Sequence, residues 1–266
     1  GGALGAIGRA GAADKIVPML VAILQAPPAE VRYWAGEALK AAGVGPAESR
    51  RPLPYPEVRY WTAEALKAMG AGAAPAVEPL VSALSDPEPS VARAVAAALG
   101  AIGLEAPAQV VPALEGALSS DQGGVRVLAA VALKGVGPPA APAVPALARA
   151  LGDPDPHVRR AAAEVLQQLG QAAQAAVPSL TQALATDDTE LQVVAATVLG
   201  SIGAGATAAV GPLVEALCGE KTSVRFVAAG ALGAIGREAP EAVVPALILA
   251  LGHERPQVRF WAAEAL

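Results

Sequence analysis

Apolar residues recur along this chain every three to four positions, the spacing of one face of a helix, and short turns interrupt this pattern. In a typical stretch, a first helix over 176–184 would place four apolar residues on one face: Val177, Leu180, Ala183 and Leu184. After the turn Thr186-Asp187-Asp188, a second helix would do the same with Leu191, Val194, Ala195, Val198, Leu199 and Ile202. Gly203 then suits the end of that helix. The pattern predicts an antiparallel pair, helix A followed by helix B.

This pair of helices returns at a nearly constant interval. A signature valine in helix B, replaced once by leucine, occurs at Val31, Val58, Val91, Val125, Val158, Leu191, Val224 and Val258. The steps are 33 or 34 residues, with one exception of 27. A proline in helix A keeps the same interval, at Pro79, Pro112, Pro145, Pro178, Pro212 and Pro245. Self-similarity at this period predicts a stacked array of helix pairs, not a domain with one central core.

The residues inside each repeat distinguish between families that share this period. The Thr-Pro-Leu-His start of ankyrin repeats and the aromatic positions of tetratricopeptide repeats are missing. The segment Asp153-Pro-Asp-Pro-His-Val-Arg-Arg-Ala-Ala-Ala-Glu-Val-Leu-Gln-Gln-Leu-Gly170 resembles the short HEAT-like repeat of bilin-lyase-type proteins. The resemblance implies an all-α fold: an α-solenoid in which antiparallel helix pairs form a right-handed superhelix. It spans residues 1–266, as a single array of about eight HEAT-like repeats of 33–34 residues.

Two stretches depart from the regular array. The segment Pro46-Ala-Glu-Ser-Arg-Arg-Pro-Leu-Pro-Tyr-Pro56 has four prolines in eleven residues, which a complete helix A cannot accommodate. We expect a degenerate repeat at 44–57, which either stays stacked through its helix B or forms a docking loop with Tyr55 and Arg50-Arg51 exposed. Both ends of the sequence look like parts of a helix B. This predicts truncated repeats at both ends and a fragment of a larger protein.

Composition narrows the functional classes. The 19 basic residues, against 24 acidic ones, are scattered, so a basic surface for nucleic acid is not expected. No run of 18 or more apolar residues is free of charge, glycine and proline, which predicts no membrane span. The single cysteine, Cys218, excludes a disulfide framework. It fits an intracellular, cytoplasmic protein.

The variable positions of helix B are the most informative ones. We number positions in helix B from the signature valine as zero. The residues at offsets +4, +7, +8 and +11 are small or aliphatic, which predicts that they form the core. The resemblance implies that the arginine at +1 joins a ladder with turn acids such as Asp121 and Asp153. Offsets +2, +3 and +6 lie on neighbouring parts of one surface. There the chain carries rings and carboxylates: Tyr33, Trp34, Glu37, Tyr60, Trp61, Glu64, Phe226, Phe260, Trp261 and Glu264.

These aromatic residues have two interpretations. They can pack between adjacent B helices, although large rings fit poorly into a packed core where sister repeats have alanine. They can also form a recognition surface, because aromatic residues are typical anchors at protein interfaces. The resemblance implies that this face lines the concave side. The glutamates would favour a protein or peptide partner with Lys or Arg beside an apolar stretch, such as a basic amphipathic helix or an extended peptide.

No constellation for catalysis stands out. Deoxyhypusine hydroxylase, a HEAT-like enzyme family, carries His-Glu pairs for two irons at offsets +2 and +3, where this chain has aromatic or aliphatic residues and, in two repeats, Arg93 and Arg160. The only His-Glu pair of this chain, His253-Glu254, falls in a turn, and His157 lies three repeats away. Because these two histidines cannot share a metal ion, we expect neither a metal nor another cofactor. We predict a non-enzymatic protein–protein interaction scaffold or assembly subunit of a larger complex, which binds its partner on the concave helix-B face. The alternative is a bilin-lyase-like protein whose aromatic residues cradle a tetrapyrrole.

Overall fold

The computed structural model describes residues 13–25 and 55–266, which divide between two compact units, Gly1–Ala140 and Ala141–Leu266. Every regular element in the described ranges is helical. The first unit contains α1 Ala13–Gln25, α2 Tyr55–Met69, α3 Val77–Ser82, α4 Pro89–Glu105, α5 Pro107–Ala117 and α6 Gly123–Val136. The second contains α7 Val144–Ala150, α8 Pro156–Leu169, α9 Val177–Leu184, α10 Thr189–Ile202, α11 Val210–Cys218, α12 Thr222–Glu238, α13 Pro240–Leu251 and α14 Pro256–Ala265.

Each unit is a two-layer stack of helix pairs. The even-numbered helices are the predicted B helices, and from α3 onward the odd-numbered ones are the A helices. The B helices contact each other in chain order. In the first unit α2 contacts α4 and α4 contacts α6, and in the second unit the contacts run from α8 through α14. The A helices also contact each other in chain order, α3 with α5 in the first unit and α7 through α13 in the second. The fold is therefore an all-α solenoid, as the sequence predicts.

The ends of the B helices follow from local chemistry. At the start of α10, the Asp188 side chain accepts a hydrogen bond from the Leu191 amide, as a helix N-cap does. At its end, Gly203 has φ of +66° and ψ of −135°, a conformation that only glycine adopts without strain. The prediction for Gly203 is thus confirmed. A 3₁₀ segment, Gly203–Ala209, then leads into the next helix A.

The core lies between the A and B layers of each unit. Offset +8 of the six B helices from α2 to α12 supplies six fully buried leucines: Leu66, Leu99, Leu133, Leu166, Leu199 and Leu232. Facing them from the A helices are Leu80, Leu114, Leu147, Leu180, Leu213 and Leu247. At offset +4, the buried Thr62 hydroxyl donates to the Val58 carbonyl at 2.7 Å, so this polar group is satisfied inside the core. The predicted core offsets are buried throughout helices α2–α12.

Small residues bring neighbouring B helices close together. A Cβ built on Gly100 of α4 would lie 3.1 Å from the Cα of Gly135 in α6. A Cβ on Gly200 of α10 would lie 3.0 Å from the Cα of Ala231 in α12. Real Cβ contacts are rarely this short, so the helix spacing at these points requires glycine.

Polar side chains connect consecutive repeats. Arg59, at offset +1 of α2, donates from Nε and Nη2 to Asp86 in the next turn, at 2.6 and 2.9 Å. Arg159 of α8 reaches Glu190 of the following repeat at 3.3 Å. Main-chain oxygens of the turn before the helix accept hydrogen bonds from Arg126, Arg159, Arg225 and Arg259; the distance from Arg126 to the Asp121 carbonyl is 3.3 Å. These arginines therefore tie their own turns, and Arg59 and Arg159 reach the next repeat.

A second connection was not anticipated from the sequence. The Glu105 carboxylate, at the end of α4, accepts a hydrogen bond from the Ala71 amide at 2.9 Å. The Glu238 carboxylate does the same for the Ala204 amide, also at 2.9 Å. In both cases an acid at the end of one B helix satisfies a free amide just after the preceding B helix. The common separation of 34 residues is the signal that could have revealed this contact.

The degenerate repeat predicted at 44–57 is described only in part. Residues 44–54, including Arg50 and Arg51, lie outside the described residues. Helix α2 begins at Tyr55 and carries the regular helix-B pattern. The helix B of this repeat is thus present, and the docking-loop alternative stays a prediction.

Candidate functional site

Aromatic residues are rare in this chain and concentrated at one type of position. It contains three Trp, three Tyr and two Phe, and all except Tyr55 fall at offset +2 or +3 of a helix B. Of the predicted site residues, Tyr33, Trp34 and Glu37 lie outside the described residues. The other seven are described, three of them on α2 and the rest on α12 and α14.

Phe226, Phe260 and Trp261 form an aromatic cluster in the second unit. The Trp261 ring lies edge-to-face against Phe226, with centroids 5.4 Å apart, and against Phe260, with centroids 5.0 Å apart. Such pairs stabilise by about 0.5–1.5 kcal/mol beyond their buried area. Trp261 is half-buried, whereas Phe226 and Phe260 are 60% and 56% exposed. The cluster thus holds its central ring in place and leaves two large apolar faces in contact with solvent.

Phe226 is exposed even though it sits inside the stack. Its helix, α12, contacts B helices on both sides, α10 and α14. Offset +2 therefore points away from the layer of B helices, while the ring at offset +3 of the next repeat, Trp261, covers one edge of it. Each interpretation of the aromatic residues therefore applies to a different position. Packing between B helices explains Trp261, and it does not explain the exposed ring of Phe226.

A groove runs beside this cluster along the exposed face of the B helices. We call it the B-face groove; its volume is about 630 Å³. Small residues form much of it, and Phe226 and Trp261 line one part. Its polar lining comes from Gln167, Thr197, Ser201, Arg237 and Glu264. A groove of this size, apolar with a few polar groups, is typical of a binding site.

The charged groups of the B-face groove are available for binding. Glu264 and Arg237 are both exposed. Among the described residues, neither forms an ion pair or a side-chain hydrogen bond. The two hydroxyl protons are already used, since Thr197 donates to the Val193 carbonyl at 2.8 Å and Ser201 donates to the Val198 carbonyl at 2.7 Å. The groove therefore offers one free carboxylate and one free guanidinium.

Helix α2 carries a smaller aromatic pair in the first unit. Tyr60 and Trp61 lie edge-to-face with centroids 5.2 Å apart, and both are half-buried. Glu64, one turn further on, contacts Lys67 at 3.5 Å. An exposed pair of this kind contributes little to stability. The same combination of rings and a carboxylate thus occurs once in the described part of each unit.

Gly230 differs from the other described glycines past the first turn of the B helices. A Cβ on it would meet no atom within 4 Å, whereas on the others it would lie within 3.4 Å of a neighbour. Because alanine is the better helix former, Gly230→Ala should raise the free energy of unfolding by about 0.5–1 kcal/mol. Gly200→Ala should lower it, because its Cβ would press on Ala231. Urea titrations followed by circular dichroism test both, and changes of the same sign would contradict the helix spacing described here.

The histidines and the cysteine do not assemble a reactive centre. His253 lies in the turn before α14, where its Nδ1 accepts from the Arg255 amide at 3.1 Å. Among residues 13–25 and 55–266, no group of three or more His, Cys, Asp or Glu side chains is placed to hold a metal ion. Burial raises the pKa of the half-buried Cys218 thiol, and nearby Arg255 only partly opposes this. The thiol is therefore protonated at neutral pH and a poor nucleophile.

One stretch, Thr189–Cys218, is long and apolar enough by composition to be considered as a membrane span. The 3₁₀ segment Gly203–Ala209 interrupts it, and half of an apolar 18-residue window within the stretch is buried inside the structure. Its longer α-helical part, Thr189–Ile202, has 14 residues. At about 1.5 Å per residue this covers roughly 21 Å, less than a hydrocarbon core of about 30 Å. The stretch has the properties of core helices in a stacked array.

Comparison with solved structures finds several similar chains. No curated relative matches the sequence. An engineered protein of solved structure is 25% identical, with a TM-score of 0.50, over 100% of this chain and 80% of that one. Human deoxyhypusine hydroxylase in complex with glycerol is 26% identical over 97% of both chains, with a TM-score of 0.39. The complex of CpcE and CpcF of phycocyanin lyase from Nostoc is 26% identical over 84% of this chain and 98% of that one, with a TM-score of 0.40.

The family is given by the sequence itself. A sequence model of the family described as HEAT repeats matches residues 51–134, 111–192 and 177–266. These three overlapping matches cover both described units from α2 onward. The chain belongs to the HEAT repeat family.

Proposed function

We propose that this chain is a non-enzymatic interaction scaffold or assembly subunit, which binds a protein partner through the aromatic residues on its B helices. Membership of the HEAT repeat family supports a repeat scaffold. The observation that carries the proposal is the exposure of Phe226, a large ring that stays 60% accessible between two neighbouring B helices. Packing of the chain on itself does not use this surface, and a partner would.

The exposed rings at this surface can contribute substantially to the free energy of binding. An aromatic side chain can bury about 150–250 Å². At about 25 cal/mol per Å², the exposed parts of Phe226 and Phe260 would supply several kcal/mol before the costs of ordering are subtracted. Trp261 adds a preorganised neighbour, because its ring is already held by both phenylalanines. The free carboxylate of Glu264 favours a partner that places Lys or Arg beside an apolar residue.

The non-enzymatic part of the proposal has its own support. The raised pKa of Cys218 makes its thiol a poor nucleophile, and no group of His, Cys, Asp or Glu side chains within the described residues is placed to hold a metal ion. A single cysteine also suits a reducing compartment, and we propose a cytoplasmic location on that basis.

A double variant, Phe226→Ala with Phe260→Ala, tests the proposal. We expect the affinity for the partner captured from the native source to fall at least tenfold, because two exposed anchors are removed. The free energy of unfolding should fall by about 1–3 kcal/mol, because each phenylalanine loses one edge-to-face contact with Trp261. The variant should remain folded, since neither ring is in the core. Affinity is measured by surface plasmon resonance, and stability by urea titration.

The matched control is Ile248→Ala with Leu249→Ala. These side chains are also apolar and exposed, at 57% and 80%, but they lie on the A helix α13. The control should bind the partner like the wild type. Equal losses in the two double variants, or no loss in either, would argue against recognition through the B helices.

Binding of a tetrapyrrole is the second candidate. The B-face groove, lined by two aromatic rings, is the observation that favours it. Adding a linear tetrapyrrole and recording its absorbance spectrum separates the candidates. A spectral shift that disappears in the Phe226/Phe260 double variant would favour chromophore handling, and an unchanged spectrum favours the protein partner.

A further inference from the structure

The B-face groove has features that select one kind of partner segment. We infer that it binds an amphipathic α-helix, which inserts an apolar side chain over Gly230, directs a basic residue to Glu264 and directs an acidic residue to Arg237. The inference rests on the proposed function and narrows the partner to a helix of defined charge pattern. Space, hydrogen bonding and charge each support it.

The space for the apolar side chain lies at Gly230. This residue follows Phe226 by four positions, so both lie on the same face of α12. An added Cβ at Gly230 would meet nothing within 4 Å, and the residue lines the groove together with Phe226 and Trp261. Sister repeats carry larger residues at this offset, for example Glu164 and Glu264. The absence of a side chain here opens a depression beside two aromatic rings.

Hydrogen bonding favours a helix over an extended peptide. An extended segment needs partners for its own main-chain groups, and it usually finds them on an open strand edge. Here the groove is bounded by helices α8, α10, α12 and α14, whose main-chain groups are paired within each helix. The Thr197 and Ser201 hydroxyls already donate to their own helix. A bound helix, which satisfies its own main chain, avoids the cost of unpaired groups.

Charge specifies the residues that flank the apolar side chain. Glu264 of α14 and Arg237 of α12 line the same groove, and each keeps its charge free of a partner among the described residues. A complementary helix therefore carries both signs, a Lys or Arg facing Glu264 and an Asp or Glu facing Arg237. This pattern also fixes the direction in which the helix lies.

Selection from a peptide library tests the inference. The library displays 18-residue, alanine-based helical peptides with random residues on one face, and it is selected against the complete chain. Selected peptides should combine an apolar residue with one basic and one acidic flanking residue. They should bind Gly230→Leu at least tenfold more weakly, because leucine fills the depression. Gly211→Leu is the matched control: its Cβ position is equally open, but it lies on the A helix α11, and binding should not change.

A charge exchange makes the test specific. Peptides selected on the wild type should lose affinity for Glu264→Lys, and changing their basic residue to Glu should restore it. Failure to select any helical peptide, equal binding to Gly230→Leu, or absence of charge rescue would each overturn the inference. These outcomes are distinct from failure of the proposed function, which would show as partner capture that survives the Phe226/Phe260 double variant. Circular dichroism confirms that each variant is folded.

Discussion

Replacing Asp86 with alanine is expected to lower the free energy of unfolding by about 3–5 kcal/mol. Asp86 accepts two hydrogen bonds from the Arg59 guanidinium of the preceding repeat, at 2.6 and 2.9 Å. Both side chains are more than 90% buried. Removing the carboxylate breaks the bidentate contact of a buried cation, and it also removes the acceptor for the Glu88 amide. Urea titration followed by circular dichroism measures the loss.

Two variants separate the origins of this effect. Asp86→Asn keeps an oxygen for the Glu88 amide and removes the charge, so its cost should be smaller than that of Asp86→Ala. Asp121→Ala changes an exposed acid of the next turn, where Arg126 uses main-chain carbonyls that remain in the variant. Its effect should stay within about 0.5 kcal/mol. If Asp86→Ala were no more harmful than Asp121→Ala, the buried connection between repeats would not contribute as described.

Leu199→Ala should lower the free energy of unfolding by about 2–5 kcal/mol. Leu199 is fully buried at offset +8 of α10, and α10 contacts B helices on both sides, α8 and α12. Removing its side chain leaves a cavity in the layer between the A and B helices, which the neighbouring repeats can fill only in part. The same titration measures the change.

Leu249→Ala is the comparison for Leu199→Ala, because it makes the same chemical change at a side chain that is 80% exposed. Its cost should remain below about 0.5 kcal/mol. Comparable losses in the two variants would mean that offset +8 does not form the core.

The fold could be derived from sequence because it depends on periodicity. A residue at offset +8, such as Leu66 or Leu199, is buried in every B helix from α2 to α12 because stacking repeats one environment. Gly203 could also be assigned as a helix end, since its conformation is local and suits glycine alone. These features need no knowledge of how distant residues meet.

The candidate site could be derived only in part, because exposure depends on the neighbouring repeat. Sequence placed Phe226 and Trp261 on one surface, but not the difference between an exposed ring and one that covers it. Gly200 and Gly230 are both glycines on consecutive B helices, yet a Cβ on Gly200 would press against Ala231 and a Cβ on Gly230 would face open space. The contact of Glu238 with the Ala204 amide likewise depends on the exact offset between stacked helices.

Site-specific photocrosslinking tests the central claim most directly. A benzophenone-bearing amino acid is placed at position 226 on helix B in one sample, and at position 249 on helix A in another; both positions are exposed. After irradiation with the native partner, the account predicts a crosslinked complex from position 226 and none from position 249. A complex formed only from position 249 would contradict it.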